Sequence, residues 1–184
     1  MARMMSTAVS DMVLALSVFW LVKYLLVQNM FAALGFMIQG FAAAAGVARF
    51  SSRAPGGTIT NVHKYLSWFA RIAGMPLVAV GFCKYVMPYL MNLNFMFSLG
   101  VIFTNKLLDE SQRSLVNEAC SGFAMLTIIA VSYTTWNVAG LAASFVYVVS
   151  GLVIGSQGSW SGIQRIDILH YALVVGNVFF YSAL

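Results

Sequence analysis

The sequence predicts an all-α, polytopic integral membrane protein, a bundle of about seven transmembrane helices that form a single domain. Composition is the first observation behind this prediction: hydrophobic residues occupy 61% of the 184 positions and charged residues only 8%. A soluble domain carries about 25% charged residues, because charge has to cover its surface. The second observation is that the apolar residues fall into seven runs, each near the roughly 20 residues that cross a bilayer.

The seven predicted helices follow one another with short connections. They cover residues 8–27, 30–50, 62–85, 88–105, 115–134, 138–155 and 164–183. The first and second are separated only by Gln28-Asn29, and the third follows a Pro-Gly-Gly loop at 55–57. The fourth begins with Pro88, which suits the first turn of a helix. The tight connections alternate with longer polar ones, so the pattern indicates three hairpins and a final helix.

The basic residues predict an orientation. If the N-terminus is cytoplasmic, the inner connections receive seven cations, namely Arg3, Arg49, Arg53, Lys64, Lys106, Arg113 and Arg165. The outer connections receive only Lys23 and Lys84. This bias satisfies the positive-inside rule and places the C-terminus outside or in a lumen. Because the cations are scattered singly, they do not form the clustered footprint of a nucleic-acid-binding protein.

Asp167 and His170, close to Arg165, are the first candidate catalytic residues. They are three positions apart in the seventh helix and therefore share a face. A carboxylate beside an imidazole can orient a general base or help to bind a metal. The simpler interpretation, which we prefer, is that Asp167 stabilises the positive N-terminus of the helix and His170 forms interfacial hydrogen bonds.

Arg71 and Glu118 are the remaining candidates. Arg71 lies inside the predicted third helix, where a cation needs a partner or a water-filled cavity. Glu118 begins the fifth helix on the same side and could be that partner, as could Asp167. The alternative is that the third helix starts near Trp68, which leaves Arg71 at the membrane interface. The sequence supports both interpretations equally.

No cofactor or metal site is predicted. The chain has two histidines, His63 and His170, so it cannot supply the three that hold zinc in some seven-helix membrane hydrolases. The two cysteines, Cys83 and Cys120, fall near opposite ends of their helices and are predicted to be free thiols.

Small residues predict close helix packing. Gly151 and Gly155 form a G-x-x-x-G pair, and Ala42 with Gly46 and Gly140 with Ser144 repeat the spacing. We prefer packing within the bundle to contact with another membrane protein. Embedded amides favour interhelical hydrogen bonds over a polar cavity; they are Gln39, Asn92, Asn94 and Asn177.

Three functions remain open on the sequence. The leading one is a non-enzymatic accessory or scaffold component that lies in the lipid bilayer and packs against another membrane protein. The second is a small transporter or channel. The third is a lipid-modifying enzyme with its polar groups at the cytoplasmic leaflet, around Arg71, Glu118, Asp167 and His170. The absence of a recognisable catalytic motif favours the first.

Overall fold

The computed structural model describes residues 4–184, which form seven helices and one short β-hairpin. The helices are α1 (Met5–Gln28), α2 (Met30–Ser51), α3 (Gly57–Cys83), α4 (Pro88–Thr104), α5 (Glu110–Thr134), α6 (Val138–Ile154) and α7 (Arg165–Ala183). The strands β1 (Ser159–Trp160) and β2 (Ile163–Gln164) pair antiparallel between α6 and α7, where only a loop was predicted.

The prediction of an all-α fold is confirmed. Five helices, α1, α2, α3, α5 and α7, are long and apolar enough to cross a membrane, while α4 and α6 are shorter apolar helices. Arg3, one of the cations used to predict the orientation, lies outside the described residues.

Helix α5 begins five residues before its predicted start at 115. The side chain of Asp109 accepts a hydrogen bond from the backbone N–H of Gln112 at 2.9 Å, and the Gln112 side chain accepts one from Asp109 N–H at 3.3 Å. This capping box satisfies two free donors of the first turn. The backbone N–H of Gln112 also lowers the pKa of the Asp109 carboxyl. Apolar periodicity detects only the apolar part of a helix, so it missed this polar turn.

Six of the helices form a closed ring. Around it, α1 packs against α2, α2 against α3, α3 against α5, α5 against α6, α6 against α7, and α7 returns to α1. Helix α4 lies outside, against α3 and α5. At the centre of this circle of helices lies the phenyl group of Phe180, which is fully buried. It contacts the aromatic groups of Phe36, Phe82 and Tyr147 edge-on.

Helix α3 contains an irregular turn that ties three helices together. Its segment Ala70–Gly74 is π-helical, and Pro76 follows. Proline has no N–H, so it cannot donate to the carbonyl four residues earlier, which belongs to Ile72. That carbonyl instead accepts from Ser98 Oγ of α4 at 2.5 Å and Cys120 Sγ of α5 at 3.6 Å. Both cysteines are buried, free thiols.

The backbones of α2 and α3 approach closely at two glycines. A Cβ added to Gly35 would lie 2.4 Å from the carbonyl oxygen of Gly74, which is backbone and cannot move aside easily. A Cβ on Gly81 would lie 2.9 Å from Ala32 Cβ. Asn29 reinforces the contact, because it caps α2 through Ala32 N–H and donates to the carbonyl of Gly81 at 3.0 Å.

The outward surface is apolar on all seven helices. Leu16, Met96, Leu126 and Phe145, which lie well inside their helices, are between 64% and 69% exposed. Monomeric soluble proteins rarely expose continuous apolar surface on this scale. This exposed apolar surface is compatible with an integral membrane protein.

Replacing Ser98 tests the link between Pro76 and its neighbours. Ser98→Ala removes the main donor to the Ile72 carbonyl, so we expect it to destabilise the protein by about 1–3 kcal/mol. In a Pro76→Ala background the helix regains an N–H for that carbonyl, and the same change should cost clearly less. Thermal unfolding of the four purified proteins measures both costs. Equal costs in the two backgrounds would show that Ser98 does not compensate for the proline.

Candidate functional site

Four buried polar side chains meet where α1 packs against α7. We call them the α1–α7 cluster: Ser10, Asp11, Asp167 and His170, each between 0% and 8% exposed. Ser10 Oγ lies 3.1 Å from Asp167 Oδ1 and 3.1 Å from His170 Nδ1. The same Nδ1 atom lies 3.4 Å from Asp11 Oδ1. The cluster therefore holds two carboxyl groups, one imidazole and one hydroxyl without direct access to solvent.

Helical spacing explains how α1 and α7 each bring two residues to the cluster. Asp167 and His170 lie one turn apart on the buried face of α7, as their three-residue spacing predicts. Asp167 is also in the first turn of α7, where the helix dipole favours a negative charge. On α1, Ser10 and Asp11 lie one turn before Leu14 and Ala15, which belong to the buried face of that helix.

Helix α2 leaves room for Asp11 by presenting a glycine. A Cβ on Gly46 would lie 2.2 Å from Asp11 Oδ2, so the carboxyl group rests directly against the backbone of α2. Asp11 Oδ2 is buried and has no hydrogen-bond partner among the described residues, and the same holds for Thr7 Oγ1 one turn earlier. A side chain at position 46 would displace this carboxyl group.

A second polar pair borders the cluster. Arg49 Nη1 of α2 lies 2.9 Å from His63 Nδ1 of α3, and Ser67 Oγ lies 3.4 Å from the other ring nitrogen of that histidine. Arg49 is close enough for its charge to act on Asp11. The α1–α7 cluster and this second pair thus bring together two carboxyl groups, two imidazoles and one guanidinium, contributed by α1, α2, α3 and α7.

The geometry of the cluster differs from that of a nucleophile with its general base. In such a relay one ring nitrogen faces the hydroxyl and the other faces the orienting carboxylate. Here Ser10 and Asp11 approach the same nitrogen of His170. The hydroxyl, imidazole and carboxyl groups are close enough to share protons. Their contacts also join α1 to α7.

Two of the four candidate residues from the sequence lie elsewhere. Arg71 and Glu118 are exposed, and neither forms an ion pair within residues 4–184. Glu118 accepts a hydrogen bond from Ser114 on its own helix at 3.3 Å. Arg71 therefore does not meet Glu118 or Asp167. The structure places Asp167 and His170 together with Ser10 and Asp11, which the sequence reasoning did not select.

The small residues divide into two groups. Ala42, Gly46 and Gly140 are buried, and Ser144 donates to the carbonyl of Gly140 at 2.8 Å. A Cβ on Gly140 would meet Ser132 Oγ at 2.2 Å, so α5 and α6 are in close contact there.

Gly151 and Gly155 do not show the packing within the bundle that we preferred on the sequence. An added Cβ at either position would have no neighbour within 4 Å. Gly151 lies in a π-helical turn, Ser150–Ile154, and Gly155 ends α6 with φ of 65°. These two glycines do not pack within the described part of the bundle, although the turn that contains Gly151 lies beside α7.

A second buried network lies two turns further along α1 and α7. The Tyr147 hydroxyl of α6 donates to Asn177 Oδ1 of α7 at 2.6 Å and accepts from Gln39 Nε2 of α2 at 3.1 Å. Asn177 Nδ2 in turn donates to Ser17 Oγ of α1 at 3.3 Å. Asn94 donates to Thr127 Oγ1 of α5 at 3.1 Å. Three of the four embedded amides thus form interhelical hydrogen bonds, and Asn92 is exposed.

Comparison with known proteins adds no assignment. No family model matches the chain, and neither a curated protein nor a solved structure shows significant similarity to it. Within residues 4–184, no group of three or more His, Cys, Asp or Glu side chains has an arrangement that could hold a metal ion.

A double-mutant cycle tests the contact between Asp11 and Gly46. Gly46→Ala should destabilise the protein by about 1–3 kcal/mol, because the new methyl group displaces a buried carboxyl group. In an Asp11→Ala background the methyl group has space, and the same change should be neutral or slightly stabilising, since alanine favours helix. Chemical or thermal unfolding of the four proteins gives the coupling. Gly122→Ala, where the added Cβ meets nothing within 4 Å, is the matched control.

Proposed function

We propose that the chain is a multi-pass integral membrane protein in which all seven helices cross the bilayer, and that it serves as a non-enzymatic accessory or scaffold subunit. The observation that carries the first part is the distribution of side chains: large apolar residues are exposed on every helix, while several buried polar ones form hydrogen bonds with neighbouring helices. Only lipid provides an apolar environment of that extent.

The two short helices fit this proposal. Helix α4 has 17 residues, which span about 25 Å at 1.5 Å per residue. This is close to the hydrocarbon thickness of about 30 Å, and small mismatches are accommodated by the bilayer. With seven spans, the two chain ends lie on opposite faces. The positive-inside rule then puts the N-terminus in the cytoplasm.

Cysteine labelling tests whether α4 crosses. Tyr85 before α4 and Leu107 after it are equally exposed, at 83% and 82%, whereas the two native thiols are buried. In sealed membranes, a membrane-impermeant maleimide should label Tyr85→Cys only from the outer or lumenal side and Leu107→Cys only from the cytoplasmic side. Labelling of both from one side would show that α4 does not cross.

The scaffold role rests on the exposed end of α6. Gly151 has open space around it, and the next two side chains, Leu152 and Val153, are 84% and 58% exposed. Small residues on a lipid-facing helix allow a second helix to approach closely, which is how membrane helices associate without a hydrophobic driving force. This face is therefore where we place a partner helix.

Filling the glycine tests the partner contact. Gly151→Ile should reduce the recovery of proteins that co-purify with the chain from its native membrane, while the fold is retained because the new side chain meets nothing in the bundle. Gly122→Ile on α5 is the matched control, since its Cβ is equally free. Quantitative mass spectrometry of the two purifications measures the difference. Unchanged recovery for Gly151→Ile would remove this face from the proposal.

The α1–α7 cluster favours a second candidate function, that of a small transporter which carries protons. Ser10 and Ser17, and likewise His170 and Asn177, are seven residues apart and lie on one helix face, about 10 Å from each other. Leu14, which is buried, interrupts the polar groups between them on α1. A lipid-modifying enzyme is supported less, because Arg71 and Glu118 lie apart from Asp167 and His170.

A further inference from the structure

A basic cavity lies between the ends of α3, α4 and α5, away from the α1–α7 cluster. Its volume is about 630 Å³, within the usual range for small-molecule sites. It is lined by Lys64, Tyr65 and Trp68 of α3, Ile102 of α4, and Asn105, Lys106 and Arg113 around the α4–α5 connection. The start of α3, the end of α4 and the start of α5 all lie on one side of the bundle.

The three cations that line the cavity have no carboxylate partner. Within residues 4–184, the one ion pair closer than 4 Å joins His170 to Asp11, far along the sequence from this cavity. No acidic residue is part of the lining. Asp109 is close enough to Arg113 for their charges to interact, but it forms no ion pair closer than 4 Å with any of the three cations. Three like charges around one space repel each other unless an anion enters it.

Arg113 is fixed in place by backbone groups. Its Nε donates to the carbonyl of Asn105 at 3.0 Å, and one terminal nitrogen donates to the carbonyl of Leu108 at 3.0 Å. The guanidinium therefore completes the C-terminal end of α4 while its charge still faces the cavity. Lys64 and Lys106 are exposed and are free to contact a ligand.

Polar and aromatic groups complete the lining. The Asn105 side-chain amide belongs to the lining, so it can form a hydrogen bond with a hydroxyl group. The Trp68 indole N–H donates to Asn117 Oδ1 at 3.3 Å, which fixes the ring at the cavity wall. Tyr65 packs beside it, with ring centroids 5.5 Å apart. Tryptophan and tyrosine are enriched at the level of lipid headgroups.

We propose that this cavity binds the headgroup of an anionic, hydroxyl-bearing phospholipid, with the phosphate held by Lys64, Lys106 and Arg113 and a headgroup hydroxyl hydrogen-bonded to the Asn105 side-chain amide. The proposal rests on the membrane insertion and orientation given above, which place the cavity at the cytoplasmic leaflet. That leaflet carries the anionic lipids, and basic pockets between membrane helices on this side bind their headgroups.

The test uses native mass spectrometry of the full chain in detergent, titrated with phosphatidylinositol or with phosphatidylcholine. The unaltered chain should bind phosphatidylinositol in preference. Lys64→Gln/Lys106→Gln should weaken that binding on the order of 30-fold. Lys23→Gln/Lys84→Gln, which removes the same charge at the opposite helix ends, is the matched control and should leave binding unchanged. Arg113 is left intact because it completes α4.

Three results would overturn the proposal: no preference for the anionic lipid, an equal loss in the cavity and control variants, or displacement of the lipid by millimolar inorganic phosphate. The last result would identify a site for soluble phosphate compounds. Extraction of membranes with alkaline carbonate distinguishes a failure of the headgroup proposal from a failure of the proposed membrane insertion. A chain that stays in the pellet but fails the lipid test retains its membrane assignment and loses only the headgroup site.

Discussion

The close approach of α3 to its neighbours is the constraint on which the rest of the bundle depends. Helix α3 contacts α2, α4 and α5, and its backbone comes close to that of α2 because Gly35, Gly74 and Gly81 have no side chain at the contact. Pro76 removes a backbone donor in the same region, and the freed Ile72 carbonyl accepts hydrogen bonds from Ser98 and Cys120. A sequence feature that interrupts one helix thus fixes the position of two others.

Like the Ile72 carbonyl, the other buried polar groups depend on hydrogen-bond partners within the protein. In an apolar environment a polar group must find its partner within the protein, because no water is available to it. Tyr147, Asn177, Gln39 and Ser17 meet this requirement by connecting four helices. The α1–α7 cluster meets it less completely, since Asp11 Oδ2 lacks a partner. An incompletely satisfied ionisable group inside a membrane protein is the usual mark of a functional position, which is why this cluster supports the second candidate function.

The number and approximate extent of the helices were predictable because each is a long apolar run. The pairing of Asp167 with His170 was predictable too, because helical periodicity is local. The partners Ser10 and Asp11 were not, because they are about 160 positions away and periodicity carries no information about which helices touch. Arg71 illustrates the same limit: the sequence left open whether it lies inside the third helix or at the interface, and in the structure it lies within α3 with its side chain exposed. Gly46 was identified from the sequence only as a packing residue, and its role in making room for Asp11 is visible only in the structure.

The balance of charge links the two polar regions of the molecule. The chain has five acidic residues against ten basic ones, and two of the five, Asp11 and Asp167, are buried between α1 and α7. Of the remaining three, Asp109 is bonded in a helix cap and Glu118 to a serine of its own helix. Within residues 4–184, none of the five forms an ion pair closer than 4 Å with Lys64, Lys106 or Arg113. Because unpaired cations that share a cavity repel one another, the anionic headgroup proposed above would supply the counter-charge from outside the chain.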